Sequence, residues 1–282
     1  MTQQKRVAAI HDISCLGKCS LTVALPILST AGIETAVIPT AVLSTHTGGF
    51  TGYTYRDLTA DILPIVEHWK SLSLHFDAIY TGFLGSFDQI DIVSHVFDKL
   101  ASADTLLFVD PVMGDLGKLY TVFPNTFPIG MRKLVQKSNF LIPNMTEALL
   151  LLDRPYQPGP YTEVFIHDVL HALGDLGPSQ IVLTGVHFDE THLGAAAYDR
   201  SSGQIDIVLS DLIPGHYHGT GDIFSSALLS GVLNAKSLVR SVEIAVRYTT
   251  GAIQRTHQAQ TDPRHGVNFE AGAAELLTLL QS

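Results

Sequence analysis

The chain has 282 residues, of which 46% are hydrophobic and 16% are charged, and its formal net charge is −10. This composition is typical of a folded protein with a sizeable core and excludes wholesale disorder. The acidic balance argues against nucleic acid or an anionic membrane surface as the main partner. Met1–Arg6 is polar and we find no apolar run long enough to span a bilayer, so we expect a cytoplasmic protein without a leader or a membrane anchor.

Strand-like and helix-like patterns alternate along the first two thirds of the chain. The strand-like runs are short and apolar on both faces, which is typical of strands buried in a parallel sheet. Repeated alternation of this kind predicts an α/β fold, a three-layer α/β/α sandwich with a mostly parallel central sheet. The predicted strands are Val7–Ile13, Ala36–Leu43, Ala78–Phe83, Leu106–Asp110, Phe140–Ile142 and Ile181–Thr184, and the predicted helices are Cys19–Ala31, Tyr55–Leu72, Gln89–Leu100, Thr126–Gln136, Thr146–Leu152 and Val164–Leu176.

The last third of the chain predicts an edge hairpin and three helices. Leu193–Tyr198 and Ile205–Leu209 flank a turn-rich segment and are expected to pair antiparallel at one edge of the sheet. We find no long linker, repeat or low-complexity tract, so we expect a single domain over residues 1–282. The three predicted helices are Asp222–Leu233, Leu238–Gln254 and Phe269–Leu280.

Polar residues gather where the predicted strands end. Ligands of open α/β sheets bind beyond the carboxyl ends of the strands, so these residues predict a site along one edge. Some of them have a plain structural alternative, because Asn144 can also cap the helix that carries Glu147. The polar residues concerned are Asp12, His46, Thr47, Asp110, Asp115, Asn144, Glu147 and Thr184.

The segment His218–Ser226 is the most informative part of the sequence. Gly219, Thr220 and Gly221 precede a buried helical run, and the N-terminus of a helix offers unpaired N–H groups and a positive dipole to an anion. Asp222 then falls in the first turn, where a carboxylate would repel a phosphate. A kinase needs both groups, because the N–H groups steady the phosphoryl group while the carboxylate takes the proton of the acceptor hydroxyl. The alternative is a glycine turn with Asp222 as an ordinary N-cap.

Leu16–Ser20 also follows a strand and opens a helix, as a phosphate-binding P-loop does. The full pattern requires a glycine where Asp12 stands and a serine or threonine where Cys19 stands. Two fixed positions therefore fail, and we do not expect a P-loop.

With these motifs the chain resembles the vitamin kinases of the ribokinase-like superfamily, above all the pyridoxal kinase family. The resemblance covers nearly the whole chain in order. It rests on Gly219-Thr-Gly-Asp222, Asp110-Pro-Val-Met-Gly-Asp115, Asn144-x-x-Glu147 and Ser44-Thr-His-Thr-Gly48. It implies a ribokinase-like fold, a homodimer, and ATP-dependent phosphorylation of the 5′-hydroxymethyl group of pyridoxal, and of pyridoxine and pyridoxamine.

The resemblance also implies roles for the site residues. Asp222 would be the catalytic base, and the N–H groups of Gly219, Thr220 and Gly221 would form the anion hole for the γ-phosphoryl group. Mg²⁺ would be organised through waters by Asp110 and Glu147, and a monovalent cation such as K⁺ is compatible with the site. The implied ATP contacts are Asp115, Asn144, Glu147, Thr184, Gly219 and Gly221, and the implied substrate contacts are Asp12, His46, Thr47 and Phe83.

Two features depart from the pyridoxal kinase pattern. Phe83 stands where better-known members carry a tyrosine, and the loop Asp12–Lys18 resembles that of the hydroxymethylpyrimidine kinases. Hydroxymethylpyrimidine kinase is therefore the alternative activity. A nucleotide-binding regulatory protein without turnover is a second alternative, against which the intact Asp222 argues.

Overall fold

The computed structural model describes residues 4–282 of the chain. The described chain forms two compact units, which are considered separately below. The first contains the described residues up to Ile65 together with Ile213–Ser282, and the second is Val66–Leu212. Among the described residues, none of the helices combines the length and the apolar character that crossing a bilayer requires.

Strands and helices alternate as the sequence predicts. The strands are β1 Arg6–Ser14, β2 Glu34–Leu43, β3 Tyr55–Asp57, β4 Ala78–Thr81, β5 Leu106–Val109, β6 Gly114–Asp115, β7 Lys118–Leu119, β8 Phe140–Leu141, β9 Gln180–Val186, β10 His192–Asp199 and β11 Gln204–Asp211. The helices are α1 Leu21–Thr30, α2 Thr59–Ser71, α3 Phe87–Leu100, α4 Phe127–Val135, α5 Met145–Leu151, α6 Glu163–Asp175, α7 Thr220–Leu233, α8 Leu238–Ala259 and α9 Ala273–Gln281.

In the first unit, β1 and β2 pair parallel, and β3 adds to β2 antiparallel. Val7, Ala8, Ala9 and Ile10 of β1 are fully buried, as both faces of a covered parallel strand require. Helix α7 is buried continuously from Ile223 to Gly231 and packs against both α1 and α8. A helix that is buried on every side stays in the core, so its N-terminus is held in a fixed position.

In the second unit, β9, β8, β5 and β4 form a parallel run in that order. Strand β10 pairs antiparallel with both β9 and β11, which places the β10–β11 hairpin at the edge of this run. The predicted α/β fold with a mostly parallel sheet and an edge hairpin is therefore confirmed. The prediction of a single domain over residues 1–282 stays a prediction.

Some predicted boundaries are wrong. The helix predicted over Tyr55–Leu72 begins only at Thr59, because Tyr55–Asp57 pairs with the end of β2 as strand β3. The helix predicted from Cys19 begins at Leu21, because Ser20 has a positive φ of 56° that a helix cannot contain. The small β6–β7 hairpin was not predicted, since its strands have only two residues each.

Candidate active site

Helix α7 begins with the glycine-rich motif. Gly219 is the N-cap and has a φ of 77°, while Thr220, Gly221 and Asp222 form the first turn. A Cβ atom on Gly219 would lie 2.1 Å from the main-chain oxygen of Lys18, so both the dihedral angle and the close approach require glycine here. Asp222 is thus inside the helix, and its side chain accepts from Ser20 rather than from its own helix. The interpretation of Asp222 as an ordinary N-cap is therefore wrong.

The Asp222 carboxylate has an unusual electrostatic environment. Its Oδ2 accepts a hydrogen bond of 2.9 Å from the backbone N–H of Ser20. Burial is the main cause that raises the pKa of Asp222, the Ser20 N–H opposes the rise and the negative charge of Asp12 adds to it, and the resulting pKa is about 7. A carboxyl group with a pKa near neutrality can both accept and release a proton at physiological pH, which is the property of a general base.

Asp12 lies near the end of β1 and is buried. Its Oδ1 accepts from the Ser20 hydroxyl at 2.5 Å, and its Oδ2 accepts from the Ser14 hydroxyl at 2.8 Å. Burial raises the pKa of Asp12, and the two hydroxyl groups oppose that rise. The first unit thus brings Asp12 and Asp222 together through Ser20, a residue that the sequence analysis did not select.

His46 lies in the loop after β2 and is buried. The backbone N–H of Gly48 donates to its Nδ1 at 3.1 Å, so its Nε2 carries the proton and donates to the Arg264 carbonyl oxygen at 2.7 Å. Burial lowers the pKa of His46, which keeps the ring neutral. Both ring nitrogens therefore organise this loop, and the neighbouring Thr47 is exposed.

The loop before α1 carries the lysine of the rejected P-loop pattern. Lys18 has a positive φ of 53°, and its ammonium group pairs with Glu270 at 2.9 Å. The lysine is thus engaged with a carboxylate of its own unit.

The second unit places Asp110 after β5 and Glu147 in the first turn of α5, and both are buried. The Glu147 oxygens accept from the backbone N–H groups of Met113 at 3.0 Å and Asn144 at 2.9 Å. Burial and the charge of Asp110 raise the pKa of Glu147 well above its usual range, and the N–H groups oppose the rise. Two adjacent buried carboxylates are a favourable environment for a cation.

The other predicted site residues of the second unit are Asn144, Thr184 and Asp115. Asn144 caps α5, its side chain accepting from the Glu147 N–H and donating to the Gly114 carbonyl oxygen at 2.9 Å. Thr184 of β9 forms a parallel bridge with Asn144. Asp115 lies on the β6–β7 hairpin, where it accepts from the backbone N–H of Leu116. Asn144 therefore acts both as a helix cap and as a tie between two loops.

Phe83 follows β4 and packs against Phe123, with ring centroids 5.5 Å apart. Phe123 in turn stacks on Phe127 of α4 at 3.8 Å. Phe83 is therefore part of an aromatic cluster in the second unit, which fixes its ring.

The fold is mixed α/β, and helix α7 begins at a glycine and carries a carboxylate in its first turn. Together these features indicate a kinase of small molecules. The chain matches the model of the phosphomethylpyrimidine kinase family over residues 28–267. The chain belongs to this family.

Solved structures share both fold and sequence with this chain. A Bacteroides thetaiotaomicron protein with the provisional name phosphomethylpyrimidine kinase, solved with pyridoxal, is 38% identical with a TM-score of 0.93, and 97% of this chain and 96% of that chain are covered. The pyridoxal kinase of Lactobacillus plantarum is 31% identical with a TM-score of 0.89, covering 99% and 98%. The pyridoxal kinase of Arabidopsis thaliana is 29% identical over 262 residues, which are 89% of this chain and 82% of that protein.

Proposed function

We propose that this chain transfers the γ-phosphoryl group of ATP to the 5′-hydroxyl group of pyridoxal, and also of pyridoxine and pyridoxamine. The observation that carries the reaction type is Asp222 in the first turn of α7, with a pKa of about 7. The substrate class is supported by the 38% identical relative solved with pyridoxal and by the two pyridoxal kinases.

In the first unit, Asp222 takes the proton of the acceptor hydroxyl as that oxygen attacks the phosphoryl group. The N–H groups of Gly219, Thr220 and Gly221 point out of the helix and neutralise charge on the transferring group. Asp12 and Thr47 meet the polar substituents of the ring, and His46 organises the loop that carries Thr47. A buried carboxylate at Asp12 is suited to a hydrogen-bond donor on the substrate.

In the second unit, Asp110 and Glu147 fit Mg²⁺ because their two charges are buried together. Among the described residues there is no group of three or more side chains that could hold a metal by themselves. Mg²⁺ commonly uses one or two carboxylates, waters and substrate phosphates, so a pair is sufficient. When bound, the ion would offset the negative charge of the ATP phosphates, and Asp115, Asn144 and Thr184 lie along those phosphates.

Removing one charge from this pair should weaken its hold on the ion. We expect Glu147→Gln and Asp110→Asn each to raise the Mg²⁺ concentration for half-maximal rate, because a hard cation prefers charged to amide oxygens. A magnesium titration at saturating ATP measures this. Asp104→Asn, which removes the same charge from an exposed turn, is the control. If the magnesium titrations of Glu147→Gln, Asp110→Asn and Asp104→Asn all superimpose on that of the wild type, Asp110 and Glu147 have no role in metal binding.

A second candidate is phosphorylation of hydroxymethylpyrimidine. It is favoured by the family model that the chain matches and by the form of the loop Asp12–Lys18. The test is kcat/KM for pyridoxal, pyridoxine, pyridoxamine and hydroxymethylpyrimidine with ATP and Mg²⁺. A clear preference for the pyrimidine would replace the pyridoxal proposal, and the absence of turnover on all four would favour a regulatory protein.

The charge of Asp12 should influence the pH dependence of turnover. Burial is the main cause of the raised pKa of Asp222, and the charge of Asp12 adds to it. Asp12→Asn removes that charge, so the pKa of Asp222 falls and Asp222 stays ionised at lower pH. We expect the acid limb of the kcat profile, near pH 7 in the wild type, to move to lower pH. KM for the vitamin should rise in the same variant. An acid limb that moves upward would contradict this electrostatic coupling.

We further propose that the enzyme acts in the cytoplasm as a homodimer and that a monovalent cation such as K⁺ assists it. These proposals rest on the resemblance to the vitamin kinases. Sedimentation tests the homodimer, and a comparison of activity in K⁺ and in Na⁺ tests the role of the monovalent cation.

A further inference from the structure

Ser20 has a conformation that its local role does not require. It is the N-cap of α1, yet its hydroxyl makes no capping hydrogen bond to that helix. A serine at this position normally accepts from an N–H of the first turn. Its backbone angles of 56° and −129° lie in a region that residues with a Cβ atom rarely adopt. Some other interaction must keep serine in this position.

That interaction is with two carboxylates at once. The Ser20 hydroxyl donates to Asp12 Oδ1 at 2.5 Å, and the Ser20 N–H donates to Asp222 Oδ2 at 2.9 Å. Asp12 and Asp222 repel each other, and a single residue placed between them supplies a donor to each. The Ser20 N–H holds Oδ2 of Asp222, and the second carboxylate oxygen, Oδ1, is the one we assign to the proton of an acceptor hydroxyl.

The main chain around Ser20 is held from several sides. Ser20 forms an antiparallel bridge with Ile13 of β1. The carbonyl oxygen of Lys18 lies directly against Gly219, and the Lys18 ammonium group is held by Glu270. The loop can therefore sustain an unfavourable conformation at Ser20, as is found where a fixed geometry serves a function.

We propose that Ser20 is a positioning residue for phosphoryl transfer: it ties Asp222 to Asp12 and thereby fixes which oxygen of Asp222 faces the acceptor hydroxyl. This inference rests on the proposed function, and it deepens the role of Asp222. If residue 20 only had to form the turn, glycine would be more favourable than serine, because glycine adopts a positive φ without strain. The hydroxyl group is what glycine lacks, and it contacts Asp12.

Ser20→Ala and Ser20→Gly both remove the hydroxyl and keep the N–H. We expect kcat to fall in both by about 10-fold to 100-fold, the loss that follows removal of one hydrogen bond to a charged group. KM for ATP should stay unchanged. Thermal unfolding should rank Ser20→Gly above Ser20→Ala, because glycine relieves the strained φ. If Ser20 is a positioning residue, Ser20→Ala and Ser20→Gly should therefore have equal kcat although they differ in thermal stability.

Ser14→Ala is the matched control. Ser14 also donates a hydroxyl hydrogen bond to Asp12, at 2.8 Å, but it has no contact with Asp222. We expect Ser14→Ala to affect KM for the vitamin and to leave kcat much closer to that of the wild type. The proposal is overturned if Ser14→Ala loses as much kcat as Ser20→Ala, or if Ser20→Gly recovers activity along with stability.

A carboxyl ¹³C NMR titration separates this proposal from the assigned activity. The Ser20 hydroxyl opposes the burial that raises the pKa of Asp12, so Ser20→Ala should raise that pKa further. His46, Ser14 and the nearby Cys19 are unchanged in the variant. If the wild type phosphorylates none of pyridoxal, pyridoxine, pyridoxamine and hydroxymethylpyrimidine, the proposed function fails. The titration still tests whether the Ser20 hydroxyl acts on Asp12. An unaltered Asp12 titration in Ser20→Ala overturns the role of Ser20.

Discussion

Asp222→Asn should lower kcat by roughly 10² to 10⁴, the range expected when a general base is removed. The amide keeps the size of the side chain and still accepts from the Ser20 N–H through its oxygen, but it cannot take a proton. KM for ATP should change little, because the helix N-terminus is intact. Steady-state kinetics on pyridoxal at pH 8, where the wild-type carboxylate is ionised, measures the effect.

Although Asp222→Asn should lose turnover, its stability relative to the wild type should increase as the pH rises. The pKa of Asp222 is about 7 in the folded protein against an ordinary value of 3.8, so between these pH values the folded state binds more protons than the unfolded state. The unfolding free energy that this group contributes therefore falls as pH rises through that window. Asparagine does not titrate, so the Tm of the variant relative to the wild type should rise from pH 4 to pH 8.

Asp61→Asn is the matched control, since Asp61 is an exposed acid in the first turn of α2. It should lose only a weak interaction with the helix dipole, and turnover should be unaffected. Retained turnover in Asp222→Asn, together with a lower Tm at pH 8, would reduce Asp222 to a structural residue.

The sequence predicted the parts of this fold that depend on continuous patterns. Apolar runs predicted β1, β5 and β9 correctly, and the run after Asp222 predicted α7 as a buried helix. These elements depend on local composition, which can be read without knowing the neighbours. The start of α2 failed because Tyr55–Asp57 is a strand only through its pairing with β2, a non-local interaction.

The candidate site shows the same division. Asp222 and Glu147 could be selected because a motif surrounds each of them. Ser20 could not, because its importance comes from two hydrogen bonds to residues 8 and 202 positions away. The only local signal was a serine at the predicted start of a helix, which is more often a simple cap. Its positive φ, which reveals the role, cannot be read from the sequence.

Alanine variants of Gly219 and Gly221 should distinguish effects on stability from effects on turnover. Gly221 is helical and its φ is not in the left-handed region, and a Cβ atom there would meet no described residue outside its own helix within 4 Å. Gly221→Ala should therefore fold, with a stability gain of up to about 1 kcal/mol from the better helix former. Turnover should fall by a factor on the order of 10², because the new methyl group displaces the phosphoryl group from the N–H groups.

Gly219→Ala should behave differently, because the φ of 77° is unfavourable for alanine and the methyl group would overlap the Lys18 carbonyl oxygen. Gly32→Ala is the control: Gly32 has a φ of 79° and open space around it, so it isolates the cost of the dihedral angle, about 1–2 kcal/mol. Denaturant unfolding should give a larger loss for Gly219→Ala than for Gly32→Ala, and the difference measures the overlap with the loop. Gly32→Ala should keep full turnover per folded molecule. If Gly221→Ala is as active as Gly32→Ala, the transferred phosphoryl group does not approach the start of α7, and the anion hole must be sought elsewhere.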